Sequence, residues 1–500
     1  MKLNYKRTIL VGFAFFLISA FWQAYDAIVP LILTNHFGLP QTASGAVMSI
    51  DNVLAVFMLP IFGALSDKLC TKKMGRRTPF VLVGTVAAVI TFVFLAIVDV
   101  VQFNALIDAG IHERYTVAQS LLDTAKDALK EAKAAGNSVA MAVANETIEA
   151  INAQIDAIRA DVLEMTLQNI WPLVSFIGVL LLVLIAMATF RSPAVALMPD
   201  VTVKPLRSNG NAIINLMGTA GGILVLVLGK LFKTSKLSMQ YVGYVIAVVA
   251  IMVTGLIVFM LTVKEKKWAE EMKEDSVKLG LEEASATETV AASDRKLSKS
   301  ELSSLMLILA SVALWYIGYN SITSKYSVYA TNVLGFDFNM TLIIAQAAAI
   351  VSYIPVGIVA SKVGRRKTIL AGILMLSSAF FIGNFITSSS HELIMYPVFI
   401  LAGMGWATIN VNSFPMVVEL ARGGDVGKYT GYYYTASMAA QIVAPILSGF
   451  LYDMFTMRVM FFAFGTVFVF ASFITMFFVK HGDAKPTAQS VVEDGLGGDD

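Results

Sequence analysis

The sequence predicts an all-α membrane protein. Twelve membrane-spanning helices form two pseudo-symmetric six-helix bundles, with both termini on the cytoplasmic side. Three observations predict it. The 500 residues are 57% hydrophobic and only 14% charged, with mean hydropathy +0.72, whereas soluble domains carry roughly 25% charged residues. The apolar residues gather in blocks of about 20, the length at which a helix rising 1.5 Å per residue crosses a ~30 Å hydrocarbon core. A glycine, acidic and basic loop pattern then recurs six blocks later.

The blocks fall near 8–33, 41–66, 79–101, 170–198, 209–230, 239–263, 303–331, 340–360, 367–388, 392–419, 428–452 and 456–480. The first is too long for a cleavable signal and carries Trp22, Gln23 and Asp26. Basic residues follow the even-numbered blocks: Lys68 to Arg77, Lys204 and Arg207, Lys264, Lys362 to Lys367, Arg422 and Lys428. The opposite short loops 34–40, 332–339 and 389–391 hold no Lys or Arg. Positive charge stays on the cytoplasmic side, so both termini are expected there.

The expected division is a six-helix bundle over 1–263, a charged cytoplasmic linker over 264–301, a second bundle over 302–480 and a disordered tail over 481–500. Residues 102–168 interrupt the first bundle with Ala-rich, acidic sequence. Apolar residues at three- and four-residue steps there (Leu121, Leu122, Ala125, Leu129) predict an extracytoplasmic amphipathic hairpin turning near Gly136 and Asn137.

Other classes are excluded on simple grounds. A net charge of +2 gives no polyanion footprint, so no nucleic-acid partner is expected. The single Cys70 forms no internal disulfide, four His make no metal cluster, and no nucleotide loop or nucleophile elbow occurs. The chain is not expected to be an enzyme, nor to hold a metal or cofactor.

The repeat lies at the exits of blocks two and eight. Gly63, Asp67 and Lys68 precede Gly75, Arg76 and Arg77; Gly357, Ser361 and Lys362 precede Gly364, Arg365 and Arg366. Two parallel six-helix repeats with this Gly-x-x-x-Asp…Gly-Arg-Arg loop resemble the major facilitator transporters, whose substrate site lies between the halves. The stretches Ser66 to Phe80 and Arg191 to Asp200 resemble, more narrowly, the sucrose-transporter-like branch of the glycoside–pentoside–hexuronide:cation symporters. The resemblance implies proton-coupled uptake of a sugar, such as a disaccharide, across the cytoplasmic membrane by alternating access. In the related melibiose-carrier branch the position of Arg191 is acidic and helps bind sodium, so arginine there favours protons. Pairs between Asp67 and Arg76 or Arg77 are expected to latch the halves in one state, with Gly364, Arg365 and Arg366 as counterparts.

Charged residues within spans are costly and default to function. Asp26 and Asp51 fall at similar depth near the midplane, and Arg191 lies in block four. The expectation is that Arg191 holds one carboxylate ionised until movement separates them, which couples proton flow to transport. Sugar recognition needs hydrogen-bonding groups beside aromatic platforms. Candidates are Trp22, Gln23, Tyr25, Asn52, Asn215, Trp315, Tyr316, Tyr319, Asn320, Gln346, Asn410 and Gln441. The expected partners are a small-molecule sugar and the bilayer, with the chain a monomer. Two other readings remain: a facilitator or exporter of another polar solute or organic anion, which Arg191 and Lys325 would serve, and a transporter-like sensor.

Overall fold

A computed structural model describes residues 4–68, 71, 74–203, 207–278, 298–418, 420 and 426–481. Residues 279–297 of the expected linker, the tail beyond 481, Cys70, Lys204, Glu419 and Arg422 lie outside the described residues, as do the side chains of Arg207 and Lys428. Among the described residues the molecule is helical, apart from one isolated bridge between Thr71 and Gly75.

The first half contains α1 (Tyr5–Leu31), α2 (Gln41–Met48), α3 (Ile50–Lys68), α4 (Thr78–Asp108), α7 (Trp171–Val201), α8 (Arg207–Phe232) and α9 (Val242–Thr262), with α5 (Ile111–Ala134) and α6 (Ser138–Gln168) inserted after α4. A further helix, α10 (Glu265–Lys278), follows α9. The second half contains α11 (Lys299–Thr323), α12 (Phe338–Val363), α13 (Arg365–Gly383), α14 (Met395–Val418), α15 (Val426–Phe455) and α16 (Met457–Phe477). Among the described residues eleven segments are long and apolar enough to cross a membrane, and α12 carries a shorter apolar stretch, Phe338–Tyr353. Each of the twelve predicted blocks therefore has its helix. Large apolar side chains such as Val83, Phe94, Leu261 and Val467 face outward, as expected where lipid, not water, is the solvent.

The packing separates two groups. In the first, α1 packs on α8 and α9, while α4 packs on α7 and α9; in the second, α11 packs on α15 and α16, and α14 on α12 and α13. The halves meet along α2 with α15 and along α8 with α12. Glycine makes the first crossing possible. A Cβ on Gly45 would collide with the Pro445 carbonyl, and one on Gly449 with the Gln41 carbonyl. Both residues sit in ordinary helix, so the requirement is close approach between backbones.

The inserted hairpin turns at Gly136, and the Asn137 side chain caps α6 by accepting from the Ala140 amide. Leu122, Leu129, Ile148, Ile155, Ile158 and Val162 form an apolar core of its own. The amphipathic pattern read from the sequence thus folds as two long antiparallel helices closed on each other.

Candidate functional site

A cavity of about 1020 Å³ lies between the halves. On α1, Phe15, Ser19, Trp22, Gln23 and Asp26 line it. Their three- and four-residue steps put them on one helical face. Arg191 of α7 and Asn215 and Thr219 of α8 complete the first half's share. The second half supplies Tyr319 and Asn320 of α11, Gln346 and Tyr353 of α12, and Trp406 and Asn410 of α14. The Gln346 amide donates to Gln23 Oε1 at 2.5 Å and bridges the halves across the cavity. Tyr319 and Trp406 stack with ring centroids 3.9 Å apart. Among the described residues Trp22 Nε1, Gln346 Oε1 and Asn410 Oδ1 have no hydrogen-bond partner. Such groups are costly to leave unpaired, about 1–3 kcal/mol each, so they are ready partners for a polar solute.

Five predicted binding residues lie elsewhere. Tyr25 is out of phase with the cavity face and packs beside Phe21 and Trp22. Trp315, 1% exposed, and Tyr316, 7% exposed, are core; Trp315 packs edge-on against Trp406, so both support the platform from behind. Asn52 donates to the Asp51 carboxylate at 2.8 Å. Gln441 of α15 is half-buried away from the lining. Sequence reasoning missed Trp406 and Tyr353, although Trp406 stands one helical turn from Asn410.

The two carboxylates are separated. Asp26 opens into the cavity, whereas Asp51 faces a small adjoining space with Ala55, Leu59, Leu184 and Ala188. Trp22 and Arg191 line both spaces. The Arg191 guanidinium lies over the Trp22 ring at 5.5 Å. Among the described residues it makes no ion pair within 4.0 Å with Asp26 or Asp51 in this conformation. Asp51 lies in electrostatic range of both Arg191 and Asp26. Lys325 is also not central. It is fully buried at the end of α11 and donates to the Gln41 carbonyl at 3.1 Å.

One end of the cavity is sealed. After Pro30, α1 passes into a wider turn, Ile32–His36, and the segment after α11 ends in another, Tyr329–Leu334. Both turns carry Thr-Asn-x-x-Gly: Thr34, Asn35 and Gly38 in one half, Thr331, Asn332 and Gly335 in the other. Each Gly takes the left-handed conformation, φ 66 and 63°, which only glycine adopts at no steric cost. Asn35 and Asn332 exchange amide hydrogen bonds at 3.2 and 2.9 Å. Pro30 has no N–H to offer the Asp26 carbonyl, and Ser327 of the other half donates to it at 3.3 Å. The Asp453 carboxylate accepts from the Gln41 and Thr42 amides at 2.7 and 2.6 Å, capping α2 from α15. The sequence held a signal for this seam in the repeated Thr-Asn-x-x-Gly, which the reading passed over.

At the other end the cavity reaches Tyr5 at the start of α1. Here the expected Asp67–Arg77 pair forms, and in this conformation it lies within one half. Arg77 pairs with Asp67 at 2.5 Å and with Asp200 at 2.8 Å and donates to Ser66, all in the first half. Arg76 contributes its backbone amide, which donates to Glu265 at 2.6 Å. Glu265 also accepts from the Arg77 and Thr78 amides, capping α4. Gly75, with φ 89°, leaves room for that carboxylate. Gly63 admits Ser192 of α7. In the second half Gly364 turns the chain with φ 100°, and Arg365 is buried at the start of α13. Arg366 donates to the Phe477 carbonyl of α16 and lies over its ring. These contacts join helices within a half.

The profile of the Major Facilitator Superfamily matches residues 162–412 and 340–495. The chain belongs to the major facilitator superfamily. A second profile, MFS/sugar transport protein, matches residues 10–106. No curated protein matches in sequence. Among solved structures, a POT family transporter in complex with 5-aminolevulinic acid aligns with TM-score 0.60 at 11% identity, covering 94% of this chain and 96% of that one. The xylose transporter XylE from E. coli, in an inward open conformation, aligns with TM-score 0.52 at 11% identity, covering 96% and 97%. The nucleoside transporter NupG aligns with TM-score 0.50 at 14% identity, covering 96% and 100%. At these identities the likeness is one of fold. As a major facilitator the chain is a multi-pass membrane transporter of small molecules.

Proposed function

We propose that this major facilitator is a proton-coupled sugar symporter of the cytoplasmic membrane, acting as a monomer, with a disaccharide or similar glycoside as substrate. One observation carries the reading. The cavity combines a stacked Tyr319–Trp406 platform with unpartnered Trp22, Gln346 and Asn410 groups drawn from both halves. A sugar presents C–H faces to aromatic rings and hydroxyls to such polar atoms. The match of residues 10–106 to a sugar transport profile supports the same substrate class.

Asp26 is the proton carrier in this reading, because its carboxylate opens into the central cavity while Asp51 faces the small adjoining space. Solute binding next to this carboxylate changes its balance between the protonated and ionised forms. We take the open mouth as cytoplasmic, on the strength of the basic loops at that end, so the molecule faces inward. An organic anion is a second reading, favoured by Arg191 in the wall.

Counterflow in proteoliposomes against a panel of disaccharides, nucleosides and organic anions tests the substrate class, and exchange of anions but not sugars overturns it. Asp26→Asn is expected to retain counterflow and lose accumulation driven by a pH gradient by at least tenfold. Accumulation that persists in Asp26→Asn removes Asp26 as carrier.

A further inference from the structure

We infer that the α5–α6 hairpin is a strap across the sealed end, which fastens to the corner of each half and regulates how readily the central cavity opens to that side. The inference rests on the transporter reading for its consequence, but not for its geometry.

Both corners lie under the strap. On the first half, α6 passes directly over Gly38, where a Cβ would meet the Leu163 amide nitrogen, and Arg159 Nε donates to Asn35 Oδ1 at 3.3 Å. On the second half, α5 passes over Gly335, whose missing Cβ leaves space for the Lys126 ammonium. Lys126 Nζ donates to the Leu334 and Gly335 carbonyls at 2.7 and 2.8 Å and lies 5.6 Å from the Phe336 ring. Those carbonyls end the wide turn that holds Asn332, so the ammonium meets the negative end of a helical segment. A second tether joins Glu149 of α6 to Arg458 at the start of α16, at 2.9 Å.

The attachment is unequal. The strap is covalently continuous with α4 and α7 and shares its apolar core with Leu106 of α4 and Leu237 of the loop before α9. It therefore travels with the first half. Its hold on the second half is polar and separable, through Lys126 and Glu149. Opening the sealed end requires the Asn35–Asn332 pair to part, and that movement withdraws the Leu334 and Gly335 carbonyls from Lys126. Each tether thus adds to the barrier for opening, and removing both lowers it without touching any cavity residue.

The test reads conformation directly. Thr331 is buried at the seam, 2% exposed. A Thr331→Cys, Cys70→Ser protein in intact cells is treated with a membrane-impermeant maleimide from the strap side. Lys126→Met and Glu149→Gln, singly and together, are expected to raise the labelling rate at least threefold. Gly45→Val, which wedges the seam apart at α2 and α15, serves as the positive control. Labelling unchanged in the double variant while Gly45→Val labels readily overturns the strap. Glu149→Gln sits at an exposed tether and covers the case in which Lys126→Met fails to fold. Counterflow of the same proteins separates the two readings. Faster labelling with no solute exchange sinks the transport assignment and leaves the strap standing. Exchange with unchanged labelling does the reverse.

Discussion

The two ends of the cavity use polar groups in opposite ways. At the sealed end nearly every named bond crosses between halves: Asn35 with Asn332, Asp453 with the start of α2, Ser327 with the Asp26 carbonyl, Lys126 with the Gly335 corner. At the open end the charged network stays inside a half, with Arg77 held by Asp67 and Asp200 and with Glu265 capping α4. The first set is a seam that must break for the cavity to change sides. The second set stiffens a bundle so that it moves as a body. A basic loop motif repeated in both halves is therefore no guide to what joins the halves in this conformation.

The largest effect that sharpens this comparison belongs to the seam's glycines. Gly45→Val and Gly449→Val each insert atoms where a carbonyl of the facing helix already lies. Overpacking costs typically about 1–3 kcal/mol, and here the cost falls on the sealed state alone. Turnover is expected to fall at least tenfold with protein yield kept, and seam labelling to rise. Normal turnover in both variants breaks the picture of a tightly closed seam.

Next comes Arg77. Arg77→Gln leaves Asp67 and Asp200 without their cation. The expected result is a lower melting temperature in detergent, a loss of about 1–3 kcal/mol, with seam labelling unchanged. Asp67→Asn is expected to do much less, because the Asp67 side chain is 59% exposed and Asp200 still holds Arg77. Equal damage from both variants, or a shift in labelling, restores a gating role to the loop.

The smallest effect is a pH dependence of the strap. Burial pulls the Lys126 ammonium down from 10.5 to about 8, against Asp123 on its own helix and Glu392 on the facing segment, which hold it up. Lys230 and Asp337 stand beyond Glu392. Released into water the ammonium regains an ordinary value near ~10.4. Undocking therefore takes up a proton between about pH 8 and pH 10, and raising the pH across that window favours the docked strap. Labelling at Thr331→Cys, referred at each pH to the Lys126→Met protein, is expected to slow severalfold as the pH rises. A rate ratio that rises with pH contradicts the assignment.

Much of this was legible in the residues. Apolar length alone gave the helices, because in lipid the backbone must satisfy itself within each span. Periodicity gave the hairpin: Leu122, Ala125 and Leu129 fold inward as read, whereas Leu121 faces outward. The cavity was legible only where phase was respected. Trp22, Gln23 and Asp26 share a face, whereas Tyr25 belongs to its neighbour. Trp315 and Tyr319 stand one turn apart, but Tyr319 stacks on Trp406 in the cavity wall, whereas Trp315 meets that ring edge-on from the core. The Arg191 pairing was assumed from charge and similar depth. Its stacking on Trp22 depends on how α7 rotates against α1, which no single-chain pattern encodes.

The Asn35–Asn332 pair has a further consequence. Each asparagine is the counterpart of the other, and each donates to its counterpart. That is the signature of an isologous contact, in which one patch meets a copy of itself about a twofold axis. A single six-helix unit bearing one Thr-Asn-x-x-Gly corner already contains everything needed to form it with a twin. The seam therefore follows the rules of a homodimer interface written twice into one chain. The strap, present in one half only, lies across both copies of this corner.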